Sequence, residues 1–259
     1  MFVRTARSRA AEIPVFRVAT RGSLSMLSLE ELAKFLNHYF AVHRFGDDQG
    51  GVYRHSTRPI RCIGLALEPW EQLSTWASNR QLDALFLHRP WKLEPEQLEP
   101  DVGVVSYHLA FDECLTLGFN LRLADALGME AVEVLGEKQG RPIGMIGEIL
   151  PQSFASYRGY MDEVFGGQDK AHPGGCNKVS RVAVVGAMTE ELVREAASRA
   201  VNVYITGQLR QPAEDAVLET GIGVIAVGHR RCEEWGLRSL AGVMRERWSG
   251  LKVILPPRI

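Results

Sequence analysis

Three of the seven histidines in this sequence stand at the ends of short apolar segments. His88 ends LDALFLH, His108 ends VGVVSYH, and His229 directly follows VIAVG. A lone histidine in such a place is more often a structural residue than a ligand. Three histidines in the same local setting favour a functional site, because imidazole binds zinc, manganese, iron and nickel.

A carboxylate follows two of these histidines four positions later along the chain. The two pairs are His108 with Asp112 and His229 with Glu233. In a helix or a turn, this spacing places both side chains on one face. A mixed set of imidazoles and carboxylates suits a divalent metal, and a bridging carboxylate can hold two ions. Such pairs are common by chance on helix surfaces, so their weight comes from their recurrence at matched strand ends.

The segments that carry these residues alternate between strand and helix patterns. Ser28 is followed by an amphipathic helix pattern made of Leu29, Leu32, Phe35, Leu36 and Tyr39. Farther along, the strand candidates are IGLAL, LDALFLH, VGVVSYH, VAVVG, VNVYITG and IGVIAVG, and the helix candidates are PWEQLSTWASNRQ, NLRLADALG, TEELVREAASRA and a last helix from about Arg231 to Trp248. This alternation predicts an α/β fold with mostly parallel sheet, in which ligands bind beyond the carboxyl ends of the strands. The three histidines are therefore expected to converge.

The second half of the chain repeats the pattern of the first half. The matched pairs, 119 or 120 positions apart, are Leu65 with Val184, Leu73 with Leu192, Asp83 with Asn202, and Gly103 with Gly223. Two similar α/β units suggest an internal duplication, although chance similarity between two parallel-sheet units remains the alternative. His88 aligns with Gly207 and His108 with Gly228, so we expect both halves to contribute to one site.

The predicted domain organisation follows from these patterns. Residues 26–130 together with residues 179–259 form the duplicated α/β domain, and residues 131–178 form a smaller inserted α+β segment. Residues 1–25 carry five arginines against one acidic residue, and they are expected to be a disordered tail or an overextended start before Met26.

The bulk composition is that of an ordinary globular protein. Of its 259 residues, 46% are hydrophobic and 24% are charged, and the formal net charge is −1. This charge gives no electrostatic reason to expect a nucleic-acid or membrane partner, and the arginines of the last helix are interleaved with glutamates. No apolar segment approaches the length of a membrane span. The four cysteines form no CxxC pair, which favours reduced thiols in a cytoplasmic protein.

The same segments resemble the Nif-three-like dinuclear metal-centre family, whose bacterial members are called GTP cyclohydrolase I type 2 homologues. The resembling phrases are LDALFLHRPWK, SYHLAFDECLTLGFNLRLADALG, PIGMIGEI, VNVYITG and VIAVGHRRCEEWGLRSLA. They occur in the family's order from about residue 26 to residue 250. The resemblance implies the Nif-three-like fold and a homo-oligomer, with a hexamer as the candidate form.

The resemblance also implies roles for individual residues. The family's metal ligands fall on His88, Asp112, His229 and Glu233, and His108 is expected to be a ligand or to support one. Glu233 is expected to bridge, and Asp112 and Glu233 are the candidate catalytic residues. The implied cofactor is divalent zinc, iron, manganese or nickel, with one or two ions per chain.

Two positions depart from the family pattern. Arg89 replaces the second histidine of a pair, and Gln208 replaces an acidic residue. A guanidinium stays protonated and opposes a second cation nearby. We therefore predict one metal site, held mainly by His88, His229 and Glu233. Arg89 is alternatively a cofactor-binding or substrate-binding residue that contacts a phosphate or a carboxylate.

Two classes of function remain open from the sequence. The first is a metal-dependent hydrolase, related to GTP cyclohydrolase, that acts through a metal-activated water on a small molecule or a nucleotide. The second is a non-catalytic scaffold or regulatory protein that binds metal or nucleotide.

Overall fold

The computed structural model describes residues 26–48 and 50–257, and this part of the chain forms a mixed α/β structure. The strands are β1 (Gly51–Arg54), β2 (Cys62–Ala66), β3 (Ala84–Leu87), β4 (Gly103–Ser106), β5 (Glu130–Val134), β6 (Glu137–Lys138), β7 (Arg141–Pro142), β8 (Gly144–Gln152), β9 (Lys170–His172), β10 (Val179–Val185), β11 (Val203–Thr206), β12 (Gly223–Ala226) and β13 (Lys252–Ile254). The α-helices are α1 (Leu29–Tyr39), α2 (Leu73–Asn79), α3 (Leu109–Leu115), α4 (Leu121–Ala126), α5 (Phe154–Phe165), α6 (Glu190–Ser198), α7 (Gln211–Thr220) and α8 (His229–Arg247). The tail predicted for residues 1–25 lies outside the described residues.

The first sheet has the strand order β1-β4-β3-β2-β13. Strands β4, β3, β2 and β13 are parallel, and β1 joins β4 in antiparallel orientation. Helix α1 precedes this sheet and begins where the sequence predicts, because Ser28 forms a capping box with Glu31. The parallel arrangement brings the ends of β3 and β4, and so His88 and His108, to the same edge of the sheet.

The second sheet has the strand order β5-β8-β10-β11-β12-β9. Its centre, β10-β11-β12, is parallel, and the pairings of β5, β8 and β9 are antiparallel. The second sheet is therefore mixed, whereas the sequence predicts a mostly parallel unit. The segment 131–178, predicted to be an inserted α+β unit, supplies β8, β9 and most of β5 to this sheet, and only its short strands β6 and β7 form a separate two-stranded antiparallel sheet. Its boundaries as a domain stay a prediction.

The two sheets repeat each other in strand register. In the first sheet Ile63 pairs with Ala84, and in the second sheet Val182 pairs with Val203. Each residue of the second pair lies 119 positions after its counterpart in the first pair. The side chain of Asp83 accepts hydrogen bonds from the backbone N–H groups of residues 61 and 62, and Asn202 does the same for residues 180 and 181. Chance similarity does not account for a shared strand register together with equivalent side-chain hydrogen bonds to the backbone, so the structure favours duplication.

Helix α8 joins the two sheets and fixes the position of its first turn. Cys232 and Trp235 pack in the apolar core of the second sheet, whereas Leu237, Leu240 and Met244 pack in the core of the first. Helix α3 lies against α8. Among the described helices none is both long and apolar enough to cross a membrane.

Candidate metal centre

The structure brings the five predicted metal-site residues together where the first sheet meets α8. His88 follows β3 directly, and His108 precedes α3, which carries Asp112. His229 is the first residue of α8, and Glu233 lies one turn farther along it. Residues that are more than 140 positions apart in the chain thus face one another, as the sequence predicts from their strand-end positions.

His88 is fully buried and its ring orientation is fixed. Its Nδ1 lies 3.0 Å from the carbonyl oxygen of Tyr107, and a carbonyl can only accept, so Nδ1 carries the proton. Nε2 therefore presents a lone pair, at 3.4 Å from Oδ1 of Asp112 and 3.2 Å from Oε1 of Glu233. Neither Nε2 of His88 nor Oδ1 of Asp112 has a hydrogen-bond partner within the described part of the chain.

These two buried atoms fit a cation. A lone pair facing carboxylate oxygens is unfavourable unless positive charge lies between them or the imidazole gains a second proton. Two ligands on one tetrahedral ion, with bonds of about 2.1 Å, stand about 3.4 Å apart. The observed separation of Nε2 and Oδ1 is 3.4 Å. The pair is thus spaced as two ligands of a single ion.

His108 supplies a third donor, and its orientation depends on a residue that the sequence analysis does not single out. Its Nδ1 lies 2.8 Å from Oδ2 of Asp48, so that Nε2 faces Asp112 at 4.0 Å. A carboxylate that holds the far nitrogen of a histidine is the usual support for a metal-binding imidazole. His88, His108 and Asp112 each offer a ligand atom, and these atoms lie within 4.8 Å of one another.

Burial governs the protonation of Asp112. It raises the pKa of this carboxyl. A bound cation would favour the ionised carboxylate and would offset this effect.

Unlike Asp112, Glu233 forms an ion pair with Arg89. The carboxylate is buried, and the Arg89 guanidinium donates to both of its oxygens, with Nη2 at 3.0 Å from Oε2 and a closer contact from Nη1 to Oε1. His229, which is largely exposed, places Nε2 at 3.0 Å from Oε1. Burial by itself would raise the pKa of Glu233, but the hydrogen bonds from His229 and Arg89 outweigh it and hold the pKa well below its usual range.

The residues whose ligand atoms are available to a metal are not the same as the predicted set. The sequence favours His88, His229 and Glu233 as the main ligands of one ion. In the structure, the group with ligand atoms open to a metal is His88, His108 and Asp112, and Glu233 is paired with Arg89. The ligand roles of His229 and Glu233 stay predictions. The guanidinium stands where it would repel a second cation, which agrees with the reasoning from its charge.

Other residues near the centre have simpler roles. Cys232 lies between His229 and Glu233 in sequence, but its thiol contacts the carbonyl oxygen of Gly228 at 3.1 Å, and burial raises its pKa, so it is a packing residue. Trp91 is exposed, and its ring meets the edge of His108 with centroids 5.1 Å apart. Gln208 is exposed just after β11.

Comparisons with known proteins agree with this architecture. The family model Duf34/NIF3 (NGG1p interacting factor 3) matches residues 27–256. A GTP cyclohydrolase 1 type 2 homolog of Pyrococcus horikoshii is 26% identical over 241 residues, covering 87% of this chain and 96% of that protein. The protein of the same name from Deinococcus radiodurans is 25% identical over 237 residues, covering 85% and 89%.

Solved structures show the same fold. A protein from Thermus thermophilus superposes with a TM-score of 0.70 at 20% identity, covering 90% of this chain and 99% of that one. Reduced HcgD from Methanocaldococcus jannaschii superposes with a TM-score of 0.68 at 20% identity, covering 88% and 97%. Since the family model spans nearly the whole described chain, this protein belongs to the Duf34/NIF3 (NGG1p interacting factor 3) family.

Proposed function

We propose that this protein is a metal-dependent hydrolase-like protein that holds one divalent ion with His88, His108 and Asp112. The observation that carries the proposal is the pair of buried, unpartnered donor atoms, Nε2 of His88 and Oδ1 of Asp112, at the spacing of two ligands on one ion. Two imidazoles and a carboxylate suit zinc, manganese, iron or nickel. Three protein ligands leave a position open for water or substrate, as catalytic sites require.

A divalent ion bound there supplies a Lewis acid and lowers the pKa of water. The side chains of the chain do the rest. Asp48 fixes the ring of His108, and the Tyr107 carbonyl fixes that of His88. Asp112 is partly exposed, and in this proposal its second oxygen accepts a proton from a reacting water.

Glu233 and Arg89 form the opposite wall of the centre. Glu233 remains ionised because the Arg89 guanidinium balances its negative charge. In this state Glu233 does not compete for a proton. Arg89 thus provides the fixed positive charge that a second ion would otherwise supply. His229 is the most exposed member of the centre and contacts Glu233 from the solvent side.

The substrate class is suggested by the relatives, several of which are named GTP cyclohydrolase 1 type 2 homolog. A nucleotide is therefore the first substrate to test. The runner-up function is a non-catalytic scaffold that binds metal or nucleotide, and the Arg89–Glu233 pair favours it, because that pair removes one carboxylate from the set that two-metal hydrolysis needs.

Turnover of nucleotides by matched variants separates these functions. Metal-loaded protein is incubated with GTP and a panel of nucleotides, and the variants Asp112→Asn and Asp125→Asn are compared. Asp125 is a carboxylate on α4 and serves as the control. A hydrolase predicts turnover that Asp112→Asn abolishes and Asp125→Asn leaves unchanged. Metal binding without turnover under any metal would favour the scaffold, and turnover that survives Asp112→Asn would contradict the proposed site.

A further inference from the structure

A cavity of about 610 Å³ opens beside the metal centre. Its residues lie just beyond the carboxyl ends of the neighbouring parallel strands β2 and β13, and on the first turns of α8. Ligands of parallel sheets collect at this edge, and the volume lies within the range of small-molecule sites. The loop 88–92 connects the two places, since His88 belongs to the metal centre and Lys92 lines the cavity.

The walls of the cavity are mostly apolar. Trp70 lies on one side, braced from behind by Trp76 with ring centroids 5.2 Å apart. Leu237 comes from α8, and Pro256 and Pro257 come from the segment after β13. The planar ring of Trp70 and the apolar rings of the two prolines offer surfaces against which an aromatic molecule packs well.

The charged groups of the cavity favour an anion. Three cationic side chains line it, Lys92, Arg230 and Arg238, together with the carboxylates Glu68 and Glu234. Arg230 contacts both carboxylates, at 3.2 Å from Glu68 and 3.1 Å from Glu234, so the lining holds three cationic side chains against two anionic ones. The exposed Lys92 has no ion-pair partner within residues 26–48 and 50–257. The unbalanced charge at the rim is therefore positive.

We propose that this cavity binds a small planar aromatic molecule that carries a negatively charged group. The aromatic body lies against Trp70 and the two prolines, and the anionic group meets Lys92 at the rim. Glu68 lines the cavity and also contacts Arg89 at 3.8 Å, so the bound molecule lies next to the wall of the metal centre. The claim that the bound molecule is a substrate rests on the proposed function. The claim that the cavity binds such a molecule does not.

Two fluorescent probes test the cavity in metal-stripped protein. 8-Anilinonaphthalene-1-sulfonate has a planar aromatic body and a sulfonate, and N-phenyl-1-naphthylamine has a similar body without the charge. We expect saturable binding of one sulfonate probe per chain, with higher affinity than for the uncharged probe. The variant Lys92→Glu should weaken the sulfonate probe by at least about threefold and leave the uncharged probe unchanged. Pro257→Trp places a bulky ring at an exposed position of the cavity lining and should weaken both probes.

Lys178→Glu is the matched control, because Lys178 is an exposed lysine that does not line the cavity. Equal affinities for the two probes, or sulfonate binding that neither Lys92→Glu nor Pro257→Trp alters, would overturn the inference. Metal uptake is measured separately on the same protein. Protein that takes up metal but binds no probe overturns the cavity inference alone, and protein that binds the probe but no metal overturns the proposed function alone.

Discussion

Removing the Arg89 guanidinium should destabilise the metal-free protein strongly and make its stability depend on metal. In Arg89→Ala, Glu233 keeps its buried carboxylate but loses both hydrogen bonds from the guanidinium. Breaking a buried ion pair from one side costs about 3–5 kcal/mol. Because the Arg89 side chain is 21% exposed, we expect the lower value, about 3 kcal/mol, which corresponds to a fall of about 6–12 °C in Tm.

A divalent cation should restore most of this loss in the variant. The freed Glu233 and the adjacent His229 can then accept an ion, and an ion present at a hundredfold excess over its Kd contributes about 2.7 kcal/mol. The assay is thermal unfolding of wild type and variant in chelator and in excess zinc or manganese. The metal-induced rise in Tm should be larger for Arg89→Ala than for wild type.

Arg122→Ala provides the control for this experiment. Arg122 forms a similar bidentate ion pair with the exposed Glu246, with N–O distances of 2.9 Å and 2.6 Å. Exposed pairs contribute about 1 kcal/mol or less, so this variant should lose little stability and gain nothing from metal. If Arg89→Ala and Arg122→Ala lose the same stability, or if metal fails to rescue Arg89→Ala selectively, the assignment of Arg89 to the second cation position is wrong.

Three further predictions can be tested in solution. Asp48→Asn should weaken metal binding by about tenfold or more, because the amide orients His108 less firmly than the carboxylate does, and isothermal titration of the metal measures this. Asn202→Ala should cost about 2 kcal/mol in chemical unfolding because it leaves two backbone N–H groups without their acceptor, whereas Asn202→Asp should cost much less, since the equivalent position already carries Asp83. The homo-oligomer implied by the family should sediment as a single species larger than one chain, and a monomer at micromolar concentration would contradict it.

Most of the fold is accessible from the local sequence pattern. The segments that become β3 and β4 are short apolar stretches separated by polar residues. This pattern predicts buried parallel strands that end at His88 and His108. The internal repeat is visible as a constant offset, because paired strands must keep a common register. The repeat pairs Asp83 with Asn202, but the hydrogen bonds that both side chains accept from the neighbouring strand are visible only in the structure.

The remaining features depend on contacts between distant segments. The antiparallel pairing of β8 with β10 is not encoded in either strand alone, so the sequence pattern predicts a separate unit for residues 131–178. Helix α7 is not predicted from the sequence, although a proline stands in its first turn, as is common at helix starts. Asp48 lies in a polar loop with no spacing relation to His108. Its proximity to His108 arises from the pairing of the following strand, β1, with β4, and the sequence signal is limited to the neighbouring acidic residues Asp47 and Asp48.

The metal content of the purified, metal-loaded protein tests the central claim most directly. Elemental analysis after dialysis should find one tightly held divalent ion per chain, and that ion should be lost in Asp112→Ala and retained in Asp125→Ala. Two tightly held ions per chain in the wild type, or one ion that survives the removal of Asp112, would contradict a single centre built by His88, His108 and Asp112.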